Sequence, residues 1–283
     1  MTLENSSSTR QIWLCADDYG ISAAVNAAIR DLLERRRLNA TSVMVVAPSF
    51  HRSEATSLAL LNSAEKRVAI GLHLTLTAPF KPLSEGFRPL RDGAFMRIGE
   101  MLARGCLYLL DGKALRAEIA SQVRMFMHTF EQLPDFIDGH QHVQLFPQVR
   151  DALFAVVKEM APHTWVRQCG RVGPLSARIR DRKGLLLDLL SKNFRQQAVA
   201  HSVLTNPAFA GTYHFGDDAD FATLFPPFLD GMPDLGVIMC HPGFVDDELR
   251  RLDPLTTLRE KEYAFFAGEN FPKLLESRGI ALV

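Results

Sequence analysis

Four short clusters of acidic and imidazole side chains carry the chemistry this chain could perform: Asp17-Asp18, Gly71-Leu72-His73, Asp138-Gly139-His140-Gln141-His142 and His241-Pro242-Gly243. Carboxylates and neutral imidazoles hold divalent cations, and the same groups take and give protons near neutral pH. An HxH pair behind an Asp is a metal-binding pattern, because i, i+2 residues of an extended chain face the same way and Gly139 lets the backbone come close. One carboxylate with two imidazoles leaves coordination positions free for water and substrate, which is the arrangement of a catalytic site. That donor set suits zinc, manganese, cobalt or iron, and magnesium less comfortably. Successive side chains leave a strand on opposite faces, so of Asp17 and Asp18 one can ligate while the other, turned by the loop, accepts a proton from water. His241 is fit to protonate a leaving group.

Each cluster also has a plainer reading. Asp17-Asp18 before Tyr19-Gly20 could cap a helix or make a turn, His73 alone could be a satisfied core histidine, and the HxH could be polar loop residues. Their shared position argues against coincidence. Strands are predicted at Ile12–Ala16, Ser42–Ala47, Val68–Leu74, Phe136–Ile137, around Trp165–Val166 and at Gly236–Cys240, and each cluster falls at or just past the end of one. Helices are predicted after the Ser22 N-cap, with Arg35, Arg36 and Arg37 at a solvated C-terminus, and at Lys113–Phe130, Gln148–Met160 and Leu185–Gln196. This βαβα order implies an α/β fold with a parallel sheet and right-handed crossovers, closed or partly closed as a barrel whose strand ends share one face. The Pro- and Gly-rich stretch Ala78–Gly99 reads as a long loop over one face, of the kind that forms lids, while Gly211–Pro227 has little pattern.

The composition bounds the class. With 283 residues, 47% of them hydrophobic, the chain can bury one large core, and residues 11–283 are expected to form a single domain behind a polar, disordered start at residues 1–10. Lys plus Arg and Asp plus Glu are 32 each, so no global field favours nucleic acid or anionic lipid, and a small, weakly charged substrate fits better. Cys15, Cys106, Cys169 and Cys240 form no CxxC, which argues against a disulfide framework and a thiolate zinc site; Cys15 and Cys240 read as core thiols. With no apolar run near the roughly 20 residues that span a bilayer, the expectation is a soluble protein in the cytoplasm. There is no GxSxG elbow, Walker loop or GxGxxG turn.

Taken together, Ala16-Asp17-Asp18-Tyr19-Gly20, Gly71-Leu72-His73-Leu74-Thr75-Leu76-Thr77, Asp138-Gly139-His140-Gln141-His142-Val143 and Cys240-His241-Pro242-Gly243 resemble the YdjC/ChbG family of carbohydrate deacetylases. The tail from Asp246 to Val283, with Arg259 and Glu262, resembles the family's C-terminal end, so the likeness runs from about Gln11 to Val283. The resemblance implies a distorted TIM-like (β/α) barrel related to the polysaccharide deacetylase fold. It also implies removal of acetyl from an N-acetylated sugar such as a chitooligosaccharide, with a divalent metal usually given as magnesium. By the same resemblance Asp18, His73 and His140 fall on the metal positions and Asp17 on that of the base. Many relatives carry a third histidine where this chain has Gln144.

The expected site therefore has Asp17 as base, His241 as acid, and one divalent ion, magnesium or zinc foremost and manganese or cobalt allowed, on Asp18, His73 and His140. His142, Gln144, Tyr19 and Arg259 are expected beside the substrate or behind the ligands, with metal ligation by His142 the alternative. The expected partner is a small carbohydrate, and a homodimer is compatible with the sequence. Three rival readings stand beside this one. A metal-dependent esterase or phosphoesterase would need a phosphate-binding pair, for which Arg167 and Arg171 are the candidates. A non-catalytic sugar-binding protein on the same fold would have lost Asp17 or His241, and a sugar isomerase is served less naturally by adjacent Asp residues.

Overall fold

The structure, a computed structural model, describes residues 9–62, 67–172, 182–216 and 218–283. Residues 1–8 of the polar start lie outside them, and Arg10 already belongs to the first strand. The strands are β1 (Arg10–Tyr19), β2 (Ala40–Val43), β3 (Ala69–Leu74), β4 (Phe136–Gly139), β5 (Trp165–Val166), β6 (Phe209–Ala210), β7 (Gly236–Cys240) and β8 (Ile280–Leu282). The helices are α1 (Ala23–Glu34), α2 (Arg52–Ala59), α3 (Ile98–Cys106), α4 (Gly112–Phe130), α5 (Pro147–Met160), α6 (Arg182–Ala200), α7 (Phe221–Leu224), α8 (Asp247–Leu252), α9 (Thr257–Ala267) and α10 (Asn270–Ser277). No helix among the described residues is long and apolar enough to cross a membrane.

All pairings in the sheet are parallel, in the order β5-β4-β3-β2-β1-β7-β6, with β8 beside the start of β1. β1 is central, and Ile12, Leu14, Cys15 and Ala16 are wholly buried on both its faces, as befits a parallel strand covered by helices. Asn39 fills the step where β8 gives way to β2: its Oδ1 accepts from Leu14 N at 2.8 Å and its Nδ2 donates to Ile12 O at 2.9 Å. The two outer strands curl toward each other but make no continuous ladder. Val166 N donates to Leu204 O (2.8 Å) and Phe209 N to Gly170 O (3.2 Å), around isolated parallel bridges at Val166–Thr205 and Arg171–Phe209. The barrel is thus distorted and incompletely closed, with the strand C-termini opening onto one end.

Local signals were followed closely in most elements. Ser22 Oγ accepts from Val25 N at 3.3 Å to start α1, and Val25, Ile29, Leu32 and Leu33 turn into the core. β2 departs from its prediction of Ser42–Ala47, ending at Val43. There the register of β1 slips, and Met44 N reaches Tyr19 O (2.8 Å) to lead the chain into a turn. The two-residue β6 and the C-terminal β8 carry no run long enough to be read as strands.

The long loop after β3 is pinned rather than loose. Two buried polar residues of α4 do this: Glu118 accepts from Leu83 N, Ser84 N and Ser84 Oγ, and Gln122 bonds both backbone groups of Thr75. The loop in consequence sets Phe80 edge-on against His140, with ring centres 5.7 Å apart, and so walls the end of the barrel.

Candidate active site

The four clusters meet at that end. β1 supplies Asp17 and Asp18, β3 supplies His73, β4 and the turn after it supply Asp138, His140 and His142, and His241 follows β7. All of these but the wholly buried Asp138 line a cleft of about 270 Å³ together with Gln141, Phe215, Met239, Asp253 and Leu255. A larger depression of about 390 Å³ lies at the opposite end of the barrel, where Thr9 leads into β1 and Ile280 begins β8, and holds none of these clusters.

Two adjacent aspartates both reach the site because β1 bulges between Ala16 and Tyr19, and Asp18 takes φ +70°, a left-handed conformation that Asp tolerates better than most residues. Asp18 Oδ1 then sits 3.2 Å from His73 Nε2 and 2.9 Å from His140 Nδ1. One ligand atom from each of the three lies within 4.8 Å of the others, and all three residues are buried. A carboxylate and two imidazoles converging at this spacing fit a divalent cation. His73 is held from behind: its Nδ1 lies 2.6 Å from Asp138 Oδ1 and 3.0 Å from Ser42 Oγ, which leaves Nε2 for a ligand. Burial disfavours charge on His73, but Asp138 outweighs it and holds the imidazole up at about 10. Asp18 is likewise buried, yet Arg259 Nη2, 2.7 Å from its Oδ2, and the two imidazoles hold its carboxyl well below the usual range.

Asp17 faces another way. Arg167 places Nη1 2.7 Å from Asp17 Oδ2 and Nη2 2.8 Å from Oδ1, and Nη2 also lies 2.5 Å from Asp138 Oδ2. Burial opposes ionisation of Asp17, but Arg167, with His73 and His241, keeps its carboxyl at about 2. His241 donates its backbone N–H to Glu262 Oε2 (2.5 Å), and its ring meets Phe215 edge-on at 5.6 Å. Glu262 also accepts from the Tyr213 hydroxyl at 2.6 Å.

The profile of the YdjC-like protein family matches residues 11–277 of this chain. The chain belongs to the YdjC-like family. This YdjC-like protein is 27% identical over 241 residues to a chitooligosaccharide deacetylase of Escherichia fergusonii, covering 83% of this chain and 82% of the relative. It is 26% identical over 283 residues to a carbohydrate deacetylase of Clostridium beijerinckii, covering 94% and 98%. Among solved structures it resembles an Enterococcus faecalis protein assigned provisionally to cellobiose-phosphate cleavage, with a TM-score of 0.73 at 22% identity over 98% of this chain and 97% of the other. It also resembles a family 4 carbohydrate esterase of Streptomyces lividans in complex with acetate, with a TM-score of 0.50 at 8% identity over 98% and 93%. These likenesses show a shared fold, a distorted barrel of the polysaccharide deacetylase kind.

The YdjC-like chain places several expected residues differently from the sequence reading. His140 and His142 do not stand side by side on an extended strand. Residues 140–145 form a tight 3-10 turn in which Gln141 and His142 take φ +55° and +59°, because the chain must leave β4 and enter α5 within a few residues. His142 turns its Nδ1 toward Cys169 Sγ (3.5 Å) and stays outside the buried triad of Asp18, His73 and His140, although it lines the cleft. Burial, helped by the nearby cations, drives its imidazole down to about 3. Gln144 is wholly buried and does not reach the cleft; its Nε2 donates to Arg167 O (3.2 Å). Gly139 makes room for it, since a Cβ there would lie 2.6 Å from Gln144 Oε1. Tyr19 is turned away toward Glu54, whose Oε2 accepts from its hydroxyl at 2.9 Å, so it makes no part of the cleft wall. Arg259 stands behind Asp18, as described.

Arg167 and Arg171 do not form a phosphate-binding pair: Arg167 is engaged by Asp17 and Asp138, and Arg171 by Asp188 at 2.8 Å. Cys15 and Cys240 are buried free thiols whose pKa is pushed up by burial, as core thiols. The roles of Asp138, Arg167 and Glu262 are tertiary pairings; only Asp138, two residues before His140, stood inside a motif that could have flagged it.

Proposed function

We propose that this protein is a metal-dependent deacetylase of N-acetylated sugars or oligosaccharides, hydrolysing the acetamide to acetate and a free amino sugar. The observation that carries this reading is the buried convergence of Asp18, His73 and His140 in the same cleft that Asp17 and His241 line. The names of the curated relatives supply the substrate class.

An acetamide is a poor electrophile with a poor leaving group, so its hydrolysis at neutral pH needs a polarised carbonyl, an activated water and an acid for the amine. A divalent cation held by Asp18 Oδ1, His73 Nε2 and His140 Nδ1 would supply Lewis-acid polarisation and a more acidic water. Two imidazoles among three donors suit zinc, manganese or cobalt better than magnesium. Asp17, kept ionised by Arg167, accepts the proton of the attacking water. His241 delivers a proton to the departing nitrogen, its backbone fixed by Glu262. Asp138 holds His73 in the ring orientation that leaves Nε2 toward Asp18. The apolar side chains of Met239 and Leu255 give the cleft a wall suited to a methyl group. The phosphoester reading lacks the cationic pair it needs, because Arg167 and Arg171 are committed to carboxylates.

The test is acetate release from a panel of N-acetylated sugars by the protein reconstituted with each of several divalent metals. Acetate formed on hexosamine substrates, and lost on chelation, is the expected result. A metal-loaded protein that releases no acetate from any of them would overturn the assignment.

A further inference from the structure

The proposed chemistry, on which this inference rests, fixes how a substrate must lie. The acetyl carbonyl has to approach Asp18, His73 and His140, and the nitrogen has to approach His241. The part of the substrate bonded to that nitrogen therefore extends past His241, on the side where its ring meets Phe215.

Phe215 is the one Phe, Tyr or Trp among the described residues that lines the cleft, and it is 41% exposed while most aromatic rings of this protein are buried. Its placement is built. The ring stands edge-on to His241 at 5.6 Å and lies 4.2 Å from the ring of Tyr213. The Tyr213 hydroxyl donates to Glu262 Oε1, and the other oxygen of the same carboxylate accepts the His241 N–H. One buried carboxylate thus ties the proton donor and the aromatic ring together. An exposed apolar face beside a polar cleft floor suits a ligand with one apolar face and a polar rim. A pyranose ring is such a ligand, with axial C–H bonds on a face and hydroxyls around its edge.

We propose that Phe215 is the platform on which the pyranose ring bearing the acetamido group stacks, so that the site selects cyclic amino sugars over open-chain acetamides. Tyr213 and Glu262 hold that platform at a fixed spacing from His241.

The test uses the metal-loaded full chain and its Phe215→Ala and Phe215→Trp variants. Acetate release is measured as separate kcat and KM on an N-acetylated hexosamine oligosaccharide, on an open-chain N-acetyl amino alcohol, and on a small aliphatic acetate ester. Phe215→Ala should raise KM for the sugar about tenfold, the size expected of one lost aromatic contact, with a smaller change in kcat. Phe215→Trp should restore it, and the two small substrates should move less than twofold. A sugar KM unchanged in Phe215→Ala, an equal rise on all three substrates, or no rescue by Trp overturns the platform. If the parent releases no acetate at all, the deacetylase reading fails separately. The platform is then decided by saturation-transfer NMR on the same sugar: transfer to its axial ring protons that Phe215→Ala abolishes supports it, and transfer that is absent or unaffected overturns it.

Discussion

Arg167 grips both oxygens of Asp17 while the same guanidinium rests against Asp138, so one buried cation balances two carboxylates that serve different partners. Asp138 orients His73, and Asp17 faces the cleft as the proposed base. Three buried acids, Asp17, Asp18 and Asp138, could not share this space as anions without Arg167 and Arg259 between them.

The pair fixes the behaviour of Asp17. Held at about 2, its carboxyl is ionised throughout the neutral range, so it needs no change of protonation before accepting a proton. The Asp17→Asn variant keeps size and removes the acceptor. It should retain its metal and lose acetate release by about 10²–10⁴-fold, the usual contribution of a general base. A loss of only a few-fold would remove Asp17 from that role, and loss of metal would make it a ligand. The depressed value also carries stability that is present above the ordinary carboxylate range and is lost as pH falls through about 2, so Asp17→Asn should flatten acid unfolding below about pH 4.

Metal content separates the triad from its neighbour. Asp18→Ala, His73→Ala and His140→Ala each remove one of the three converging atoms and should lose most bound metal after dialysis, whereas His142→Ala should keep it. Elemental analysis decides. Full occupancy in His140→Ala with loss in His142→Ala would reverse the choice of imidazole.

Metal uptake should also release a proton. Asp138 holds the metal-free His73 as an imidazolium up to about 10, and ligation requires the Nε2 lone pair while Nδ1–H stays on Asp138. Affinity should therefore strengthen as pH rises from about 6 toward 10. Without metal the sign for folding is opposite: the stability His73 contributes is full below its ordinary value near 6.5 and is lost as pH rises through about 10. Calorimetric titration in two buffers of different ionisation enthalpy measures the released proton directly. No difference between the buffers would mean that His73 is already neutral.

What the sequence disclosed depends on how local each feature is. The run Gly236–Cys240 is apolar and bounded by turn residues, so the residues themselves mark its strand and the His241 beyond it. Positive φ is legible only where Gly or Asn announces it. At Gln141 nothing in the residue type does, and Asp18 and His142 only tolerate it better than most residues, so the spacing of the HxH by itself predicts an extended pair. Arg167 and Asp17 are 150 positions apart, and no spacing rule joins them. The outer strand β5 is marked by the apolar pair Trp165–Val166 and ladders onto β4, whereas β6, also of two residues, pairs with β7 without a hydrophobic run long enough to announce it. Glu118 and Gln122 stand one helical turn apart and look like a solvated helix face, yet they are buried and fasten the loop that sets Phe80 against His140.

Gly71 offers a stability test away from the chemistry. A Cβ there would lie 2.4 Å from the ring of Phe136, which stacks on Trp165 in a packed layer. Gly71→Ala should lower stability by about 1–3 kcal/mol through overpacking, measured as a fall in denaturation midpoint. Phe136→Leu in the same chain should recover part of the loss. An unchanged midpoint in Gly71→Ala would mean that β3 and β4 have freedom to separate.

The proposed acid is tested by comparing leaving groups. An amine must be protonated to depart, whereas an activated aryl ester releases a phenolate that needs little help. His241 lines the cleft, its backbone fixed by Glu262 and its ring set against Phe215, so removal of the imidazole should leave the three proposed metal ligands in place. His241→Ala should therefore lower kcat/KM on an N-acetyl sugar by about 10²-fold or more, and on an aryl acetate by far less, with metal content unchanged. If His241 instead stabilised the oxyanion, or merely filled a polar position at a strand end, the two substrates would suffer alike. Equal losses at one pH would exclude it as the proton donor.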